Sequence, residues 1–338
     1  MTVRFGAIGI DHPHIFGQVG CLLDAGAAFV AFHADDDALA LPFAARYPQA
    51  RRAATPAEVL EDDSLALIVT AAVPADRAAI AIAAMRHGRD VMSDKPGCTT
   101  LADLAALRAV QAETGRIYSI MYSEHFETRC TVHAGELVAA GAIGAVLHTL
   151  GLGPHAIHNA PRPAWFFERA RYGGVLTDIG AHQAEQFLFF SGATEGRVLS
   201  ATVANRAHPG TPGLQDVGDM HLATDRTTGY VRVDWFTPPT LPVWGDGRLV
   251  ILGTEGYIEL RKYIDVAGRP GGEHLLIVDR DGPRHVDCRA VPLPYGPALL
   301  ADIRDRTETA MPQARCFGAM ELALRAQALA EETAPWTA

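Results

Sequence analysis

From Val3 to Met121 the sequence alternates short apolar runs with helix-like stretches, and no other feature constrains the fold as strongly. Val3–Ile8, Ala28–Phe32, Ala66–Thr70, Asp90–Met92 and Ile117–Met121 read as strands. Phe16–Ala25, Pro74–His87 and Leu101–Thr114 read as helices between them. Thr99 or Thr100 stands where it can cap the last helix, and Gly88 and Gly115 stand where C-terminal glycines belong. Strand and helix in alternation pack as a doubly wound parallel sheet with helices on both faces.

A boundary is expected near Ser123. After it the pattern changes: a helix around Thr128–Ala140, a strand around Val146–Leu150, and a helix carrying Asp178 and His182. Further β-like runs follow at Val198–Ala204, Asp219–Thr224, Gly229–Phe236, Arg248–Leu252, Tyr257–Arg261 and Leu275–Asp279. Together they predict an α+β domain with a large, mostly antiparallel sheet. An Ala-rich helical tail is expected over residues 297–333. The chain is thus expected to be α/β with two domains, 1–123 and 124–338.

At 338 residues there is length enough for two real cores. The 29 basic against 39 acidic side chains leave a formal charge of −10, and no basic stripe interrupts the sequence, which argues against a nucleic-acid partner. No apolar run approaches the roughly 18 residues of a membrane span. The N-terminus enters a strand at once, so no signal peptide is expected. Five cysteines, scattered and without metal-ligand spacing, suit reduced thiols in the cytoplasm. No metal is expected.

Two short motifs carry chemistry. Gly173-Gly174-Val175-Leu176-Thr177-Asp178-Ile179-Gly180-Ala181-His182 opens on a conformationally permissive Gly pair. Asp178 can cap or open a helix there, and the four-residue spacing puts carboxylate and imidazole on one helix face. A carboxylate beside an imidazole fixes its tautomer and raises its basicity, as proton transfer requires. Earlier, Asp94-Lys95-Pro96 follows a short strand, and the proline holds Lys95 extended at the strand's carboxyl end. Carboxyl ends of parallel strands are where such sheets bind ligands.

Together these motifs resemble the two signatures of the glucose-fructose oxidoreductase/inositol dehydrogenase (Gfo/Idh/MocA) family. The likeness extends to Val3–Gly9 as a first strand, Gly141-Ala142-Ile143-Gly144 as a turn between domains, and Gly253-Thr254-Glu255-Gly256 as a late sheet motif. The resemblance implies a Rossmann domain that binds NAD, followed by a substrate domain. It also implies hydride transfer to or from a sugar, cyclitol or related polyol. His182 is then the base, Lys95 stabilises the reacting oxygen, and Asp178 orients His182 or binds a neighbouring hydroxyl. A homo-oligomer, dimer or tetramer, formed through the C-terminal sheet is implied as well. Two alternatives stay open: a lyase or glycosidase using retained NAD, and a non-enzymatic dinucleotide or metabolite sensor.

The phosphate-binding turn departs from the family pattern. Gly9 holds the first glycine place, but Gly9-Ile10-Asp11-His12-Pro13-His14 puts Asp11 and His14 at the other two. Asp11 is expected to cap the following helix, with His12 or His14 near the diphosphate. At the end of the second strand, Asp35 is placed to accept the ribose hydroxyls. Asp36 and Asp37 follow with no Arg in the segment, which favours NAD over NADP. Ala72 and Pro74, after the third expected strand, and Asp94 complete the expected cofactor contacts. Tyr122-Ser123-Glu124-His125-Phe126 replaces an Asn-aromatic-Arg-like segment of the family.

Overall fold

The computed structural model describes residues 2–159 and 161–333; the outer limits of the expected domains, at residue 1 and over 334–338, lie outside them. The first sheet contains β1 (Arg4–Ile8), β2 (Ala28–His33), β3 (Arg51–Arg52), β4 (Leu67–Thr70), β5 (Asp90–Asp94) and β6 (Tyr118–Met121). All pair in parallel, in the order 3-2-1-4-5-6. This is the doubly wound dinucleotide-binding arrangement. Its helices are α1 (His14–Asp24), α2 (Asp37–Arg46), α3 (Pro56–Leu60), α4 (Arg77–Arg86) and α5 (Leu101–Thr114).

The second sheet contains β7 (Val146–Pro154), β8 (Arg197–Ala204), β9 (Val217–Ala223), β10 (Thr228–Asp234), β11 (Arg248–Gly253), β12 (Tyr257–Arg261), β13 (His274–Asp279) and β14 (Gly282–Asp287). Its order is 14-13-12-11-7-10-9-8, antiparallel except where β10 lies parallel to β7. Five helices accompany it: α6 (Ser123–Phe126), α7 (Arg129–Ala139), α8 (Arg169–Tyr172), α9 (Val175–Asp178) and α10 (Gly180–Ser191). The chain ends with α11 (Tyr295–Asp305) and α12 (Gln313–Thr333).

These elements form two compact units. Residues through Met121 join Pro294–Phe317 in the first, and Tyr122–Leu293 join the chain from Gly318 onward in the second. Part of the C-terminal tail therefore returns to the parallel sheet. Arg306 ends α11 in the left-handed region (φ 57°) and donates to both Asp90 carboxylate oxygens, at 2.7 and 3.0 Å. Gln313 pairs with both backbone groups of Tyr118, at 2.8 and 2.9 Å, and so occupies part of edge strand β6.

In the first unit, apolar burial on both faces fixes the parallel sheet: every residue of β4 is buried. Aromatic side chains lock α2 against β1 and β2, with Phe5 stacked on Phe29 at 4.8 Å and Phe43 edge-on to Phe32 at 5.0 Å. Thr100 caps α5 by accepting the Asp103 N–H, and Gly115 closes it at φ 62°. In the second unit, strict alternation sends Leu249, Ile251, Ile258, Leu260, Leu275 and Ile277 to one sheet face. There they pack with Cys130 and Ala134 of α7.

Several elements differ from expectation. The helix expected over 16–25 starts at His14, and the one over 74–87 opens with a 3-10 turn at Pro74–Asp76 before α4. Two-residue β3 and polar β14 carry too little apolar pattern to be read as strands. The tail over 297–333 is two helices, broken after Asp305. The helix expected to carry both Asp178 and His182 is divided at Ile179 into α9 and α10. Gly174 precedes α9, so Asp178 ends a short helix and does not cap one.

Ile251 has no exposure and lies in the middle of the second unit's core. Ile251→Ala is expected to destabilise that unit by about 2–5 kcal/mol through lost burial and a residual cavity. Urea unfolding followed by tryptophan fluorescence measures the loss.

Candidate active site

The carboxyl ends of β1 and β5 meet in a cluster of buried charge. Gly9 turns the chain at φ 74°, where a Cβ would come within 2.4 Å of the Ala72 Cβ; only glycine fits. Ile10 and Ala72 are buried beside this turn. Asp94 ends β5 and accepts from the Lys95 N–H at 2.7 Å and from His14 Nδ1 at 2.8 Å. Arg77, with no exposure, pairs with the same carboxylate at 2.9 Å. It also donates to Ala72 O at 2.7 Å, to Pro96 O at 3.1 Å and to Lys95 O. Arg77 therefore ties the turn after β4 to the Asp94-Lys95-Pro96 motif, whose Lys95–Pro96 bond is cis. Burial alone raises the Asp94 carboxyl; Arg77 and His14 outweigh it and hold the group well below the usual carboxylate range.

Asp11 does not cap α1. The helix begins after Pro13 without a side-chain cap, and the His14 N–H is taken by His12 Nδ1 at 3.2 Å. Ile15 and Phe16 N–H donate to His12 and Pro13 carbonyls, both at 3.1 Å. Proline supplies no N–H. The amides that a glycine-rich turn leaves for a diphosphate are thus engaged within the turn itself. Burial raises the Asp11 carboxyl above its usual value, against hydrogen bonds from its own and the Val73 N–H. Burial likewise pushes His12 well below the ordinary imidazole value, His14 adding to the effect. A neutral His12 that accepts at Nδ1 carries its proton on Nε2 and remains a donor there.

At the end of β2 the three aspartates do different things. Asp35 is almost wholly exposed, 3.5 Å from His33 Nε2. Asp36 caps α2, accepting the Ala38 N–H at 2.8 Å. Asp37 pairs at 2.6 Å with Arg52, which also donates to Ala34 O at 3.0 Å. No Arg stands in the segment itself, but strand pairing brings Arg52 of β3 to it. An NAD molecule suits this set: Asp35 is open to ribose hydroxyls, and His12 offers a ring N–H donor in place of the missing amides, beside His14, whose Nδ1–H is given to Asp94. Pro74 lies buried in the turn beyond Ala72. His12, His14 and Asp94 place one ligand atom each within 4.8 Å of the others. Arg77 on the carboxylate and the His14 N–H on His12 Nδ1 already use the charge and lone pair a cation would need.

In the second unit α10 begins beside β7 and is buried along nearly its whole length, polar residues included. Gly151 and Gly153 of β7 make this possible: a Cβ on them would come within 2.5 and 3.1 Å of the Gln183 amide. Gln183 Nε2 donates to Glu124 Oε2 at 2.8 Å, and Lys262 Nζ donates to the same oxygen at 2.8 Å. Lys262 also donates to Gln186 Oε1 at 2.7 Å, and Gln186 Nε2 donates to the His182 carbonyl at 3.0 Å. His182 is 1% exposed and packs 6.0 Å edge-on from the Tyr122 ring. Burial would raise the Glu124 carboxyl, but Lys262, then His182 and His155, bring it down to about 2. Beside this network His125 of α6 pairs with Glu185 of α10 at 2.9 Å. Asp178 is buried too, and its charge acts on Arg162 and Tyr172.

Sequence reasoning named His182 and Asp178 but not Glu124, Lys262 or Gln183 as working residues. The unusual Tyr122–Phe126 segment was the available signal. Trp244 packs tilted against Tyr263 at 4.4 Å and with it, His158 and Lys262 lines a cavity of about 660 Å³. Trp235 is buried against Phe166 and His155. None of the five cysteines is in a disulfide, and burial pushes the Cys98 thiol up to about 12. Among the described residues no helix is long and apolar enough to cross a membrane.

Residues 131–259 match the GFO/IDH/MocA C-terminal domain. A crystal structure from Erwinia carotovora atroseptica SCRI1043, of a protein assigned as an oxidoreductase, is 42% identical. It covers 97% of this chain and 99% of its own, with a TM-score of 0.94. The scyllo-inositol 2-dehydrogenase (NAD(+)) of Bacillus subtilis is 25% identical over 240 residues, 66% of this chain and 64% of its own. The 1,5-anhydro-D-fructose reductase of Ensifer adhaerens is 27% identical over 143 residues, 40% of each chain. This chain therefore spans less than two thirds of the length of either enzyme.

Arg77 carries the most consequential contacts of the first cluster. Arg77→Ala leaves Asp94 as a buried charge without its strongest partner and is expected to cost about 3–5 kcal/mol. Chemical denaturation of the variant checks this, and a loss below 1 kcal/mol contradicts the structural role.

Proposed function

The chain belongs to the GFO/IDH/MocA family, and from that premise we propose that it is an NAD-dependent oxidoreductase. Its reaction moves a hydride between the nicotinamide and a secondary alcohol or ketone of a sugar, cyclitol or derivative. The observation that carries this reading is His182, a buried imidazole at the head of α10 whose carbonyl is held by Gln186, itself bonded to the Lys262–Glu124 pair. An imidazole so placed can hold the proton that a carbinol loses on oxidation. The two relatives named for scyllo-inositol and 1,5-anhydro-D-fructose support a polyol as the substrate class. So do the Trp244 and Tyr263 faces in the cavity of the second unit, which suit the apolar face of a sugar ring.

In this reading NAD, when bound, supplies the hydride acceptor or donor. Asp35 holds the ribose hydroxyls, and His12 donates to the phosphates with His14 beside it. Gly9, Ile10, Asp11, Asp36, Ala72, Pro74 and Asp94 shape the same turn-and-strand-end surface. His182 removes the hydroxyl proton during oxidation and returns it during reduction. The Lys95 ammonium stabilises negative charge on the reacting oxygen. Asp178 orients His182 or binds a neighbouring hydroxyl of the substrate.

His182→Ala is expected to lower turnover by ~10²–10⁴, the range for general acid–base catalysis. Lys95→Ala is also expected to be severe, with folding retained by circular dichroism. A panel of sugars and cyclitols incubated with NAD reads the reaction: net reduced cofactor supports the proposal, while product without it marks a redox-assisted lyase. Binding without turnover marks a sensor. Asp35→Ala is expected to weaken NAD at least about tenfold by calorimetry, and tighter NADP than NAD binding in the native protein refutes the cofactor assignment.

We also assign a second copy of the chain to the outer face of the second sheet, giving a dimer or tetramer. Leu252 and Tyr257, paired across β11 and β12, are each 43% exposed there, flanked by Arg248, Glu259 and Arg261. Light scattering after gel filtration is expected to give at least a dimer, and Leu252→Arg is expected to shift it toward monomer.

A further inference from the structure

Sequence reasoning gives the role of carboxylate partner of His182 to Asp178; the buried polar network points elsewhere. Glu124 is 1% exposed, and its Oε2 receives both Lys262 Nζ and Gln183 Nε2. Its other oxygen, Oε1, is buried with no hydrogen-bond partner among the described residues. A buried carboxylate oxygen left open costs free energy unless a cation or donor uses it. Lys262, fully buried, has two bonds in the network: one pairs it with Glu124, and the other fixes Gln186, which in turn holds the His182 carbonyl.

We propose that Glu124, held as a carboxylate by Lys262 and Gln183, is the positioning residue for His182 and the buried negative charge that stabilises this imidazole once it has taken up a proton. The inference rests on His182 being the base. The attraction between Glu124 and a protonated His182 is mutual: the ionised carboxylate stabilises the imidazolium by as much as the imidazolium stabilises the carboxylate. The other groups facing the pair are Lys262 and Tyr263 after β12, His155 after β7 and Tyr122 before α6. Glu185 is occupied by His125. Lys262 opposes the imidazolium directly and supports it indirectly through Glu124. Removing the lysine leaves the carboxylate to draw its counter-charge from His182.

The experiment is a nuclear magnetic resonance titration of the histidine ring protons in the full chain, without cofactor or substrate. Among 14 histidines the His182 signal is assigned by its loss in His182→Gln. Glu124→Gln keeps the side-chain shape and removes the charge; the His182 midpoint is expected to fall by about one pH unit or more. Lys262→Met is expected to move it upward, and Lys262→Arg to leave it near the native value. A purely structural network would give no such opposed pair of shifts. An unchanged or raised His182 midpoint in folded Glu124→Gln overturns the proposal. If that variant does not fold, a lowered or unchanged midpoint in Lys262→Met overturns it. Because the titration needs neither NAD nor substrate, a native protein inactive toward every polyol defeats the functional reading and leaves this coupling to be decided separately.

Discussion

A charge taken out of water has to be matched within a few ångströms, and each unit is organised around one such match. In the first, Arg77 has no exposed surface, and its guanidinium is shared among Asp94 and three backbone carbonyls. A planar fork of five donors can serve that many acceptors at once; an ammonium could not do so with the same geometry. The ends of β4 and β5 are thereby fixed relative to each other. Lys95 follows directly from Asp94, so its backbone position depends on that pair.

The second unit solves the same problem with different parts. A helix as buried as α10 is ordinarily apolar all round, yet Gln183, Glu185 and Gln186 lie inside with His182. Their volume is accommodated because β7 reads Leu150-Gly151-Leu152-Gly153 and gives up its side chains on the helix-facing side. Much of their polarity is matched because α6 supplies Glu124 and His125 and the segment after β12 supplies Lys262, while Gln183 Oε1 and Glu124 Oε1 stay buried without a hydrogen-bond partner among the described residues. Such a network is costly when incomplete and rigid when complete. The network fixes the His182 backbone, and it does so at the expense of apolar contacts β7 could otherwise have made.

Much of this was legible in the sequence, in proportion to how local the cause was. Strand–helix alternation, the Thr100 and Gly115 ends of α5, and the alternating pattern of β11 and β12 each depend on residues a few positions apart. So do Gly9 at its turn and Lys95 at a strand end. What escaped depends on pairing over long distances. Arg77 meets Asp94, Glu124 meets Lys262, and Arg52 meets Asp37 only after the sheets form. The split at Ile179 is a smaller failure of the same kind: 178 and 182 have helical spacing, and the local chemistry gives no reason for the break.

The turn at the head of α1 departs from the glycine-rich pattern both in its letters and in where its amides go. Glycines in such a turn act by absence, leaving amides bare and the backbone approachable. Here those amides are consumed by His12 and by turn carbonyls, so donors have to come from side chains. Imidazole is suited to this when one nitrogen is already fixed as an acceptor, because the proton must then sit on the other. Burial keeps His12 neutral, and Asp94 orients His14 from behind. A neutral donor binds a phosphate less strongly than a charged one, but it costs less to keep buried when the site is empty. The Asp94 carboxylate therefore serves three neighbours at once: it holds Arg77, positions Lys95 through its N–H, and sets the ring of the histidine that stands where the third glycine would be.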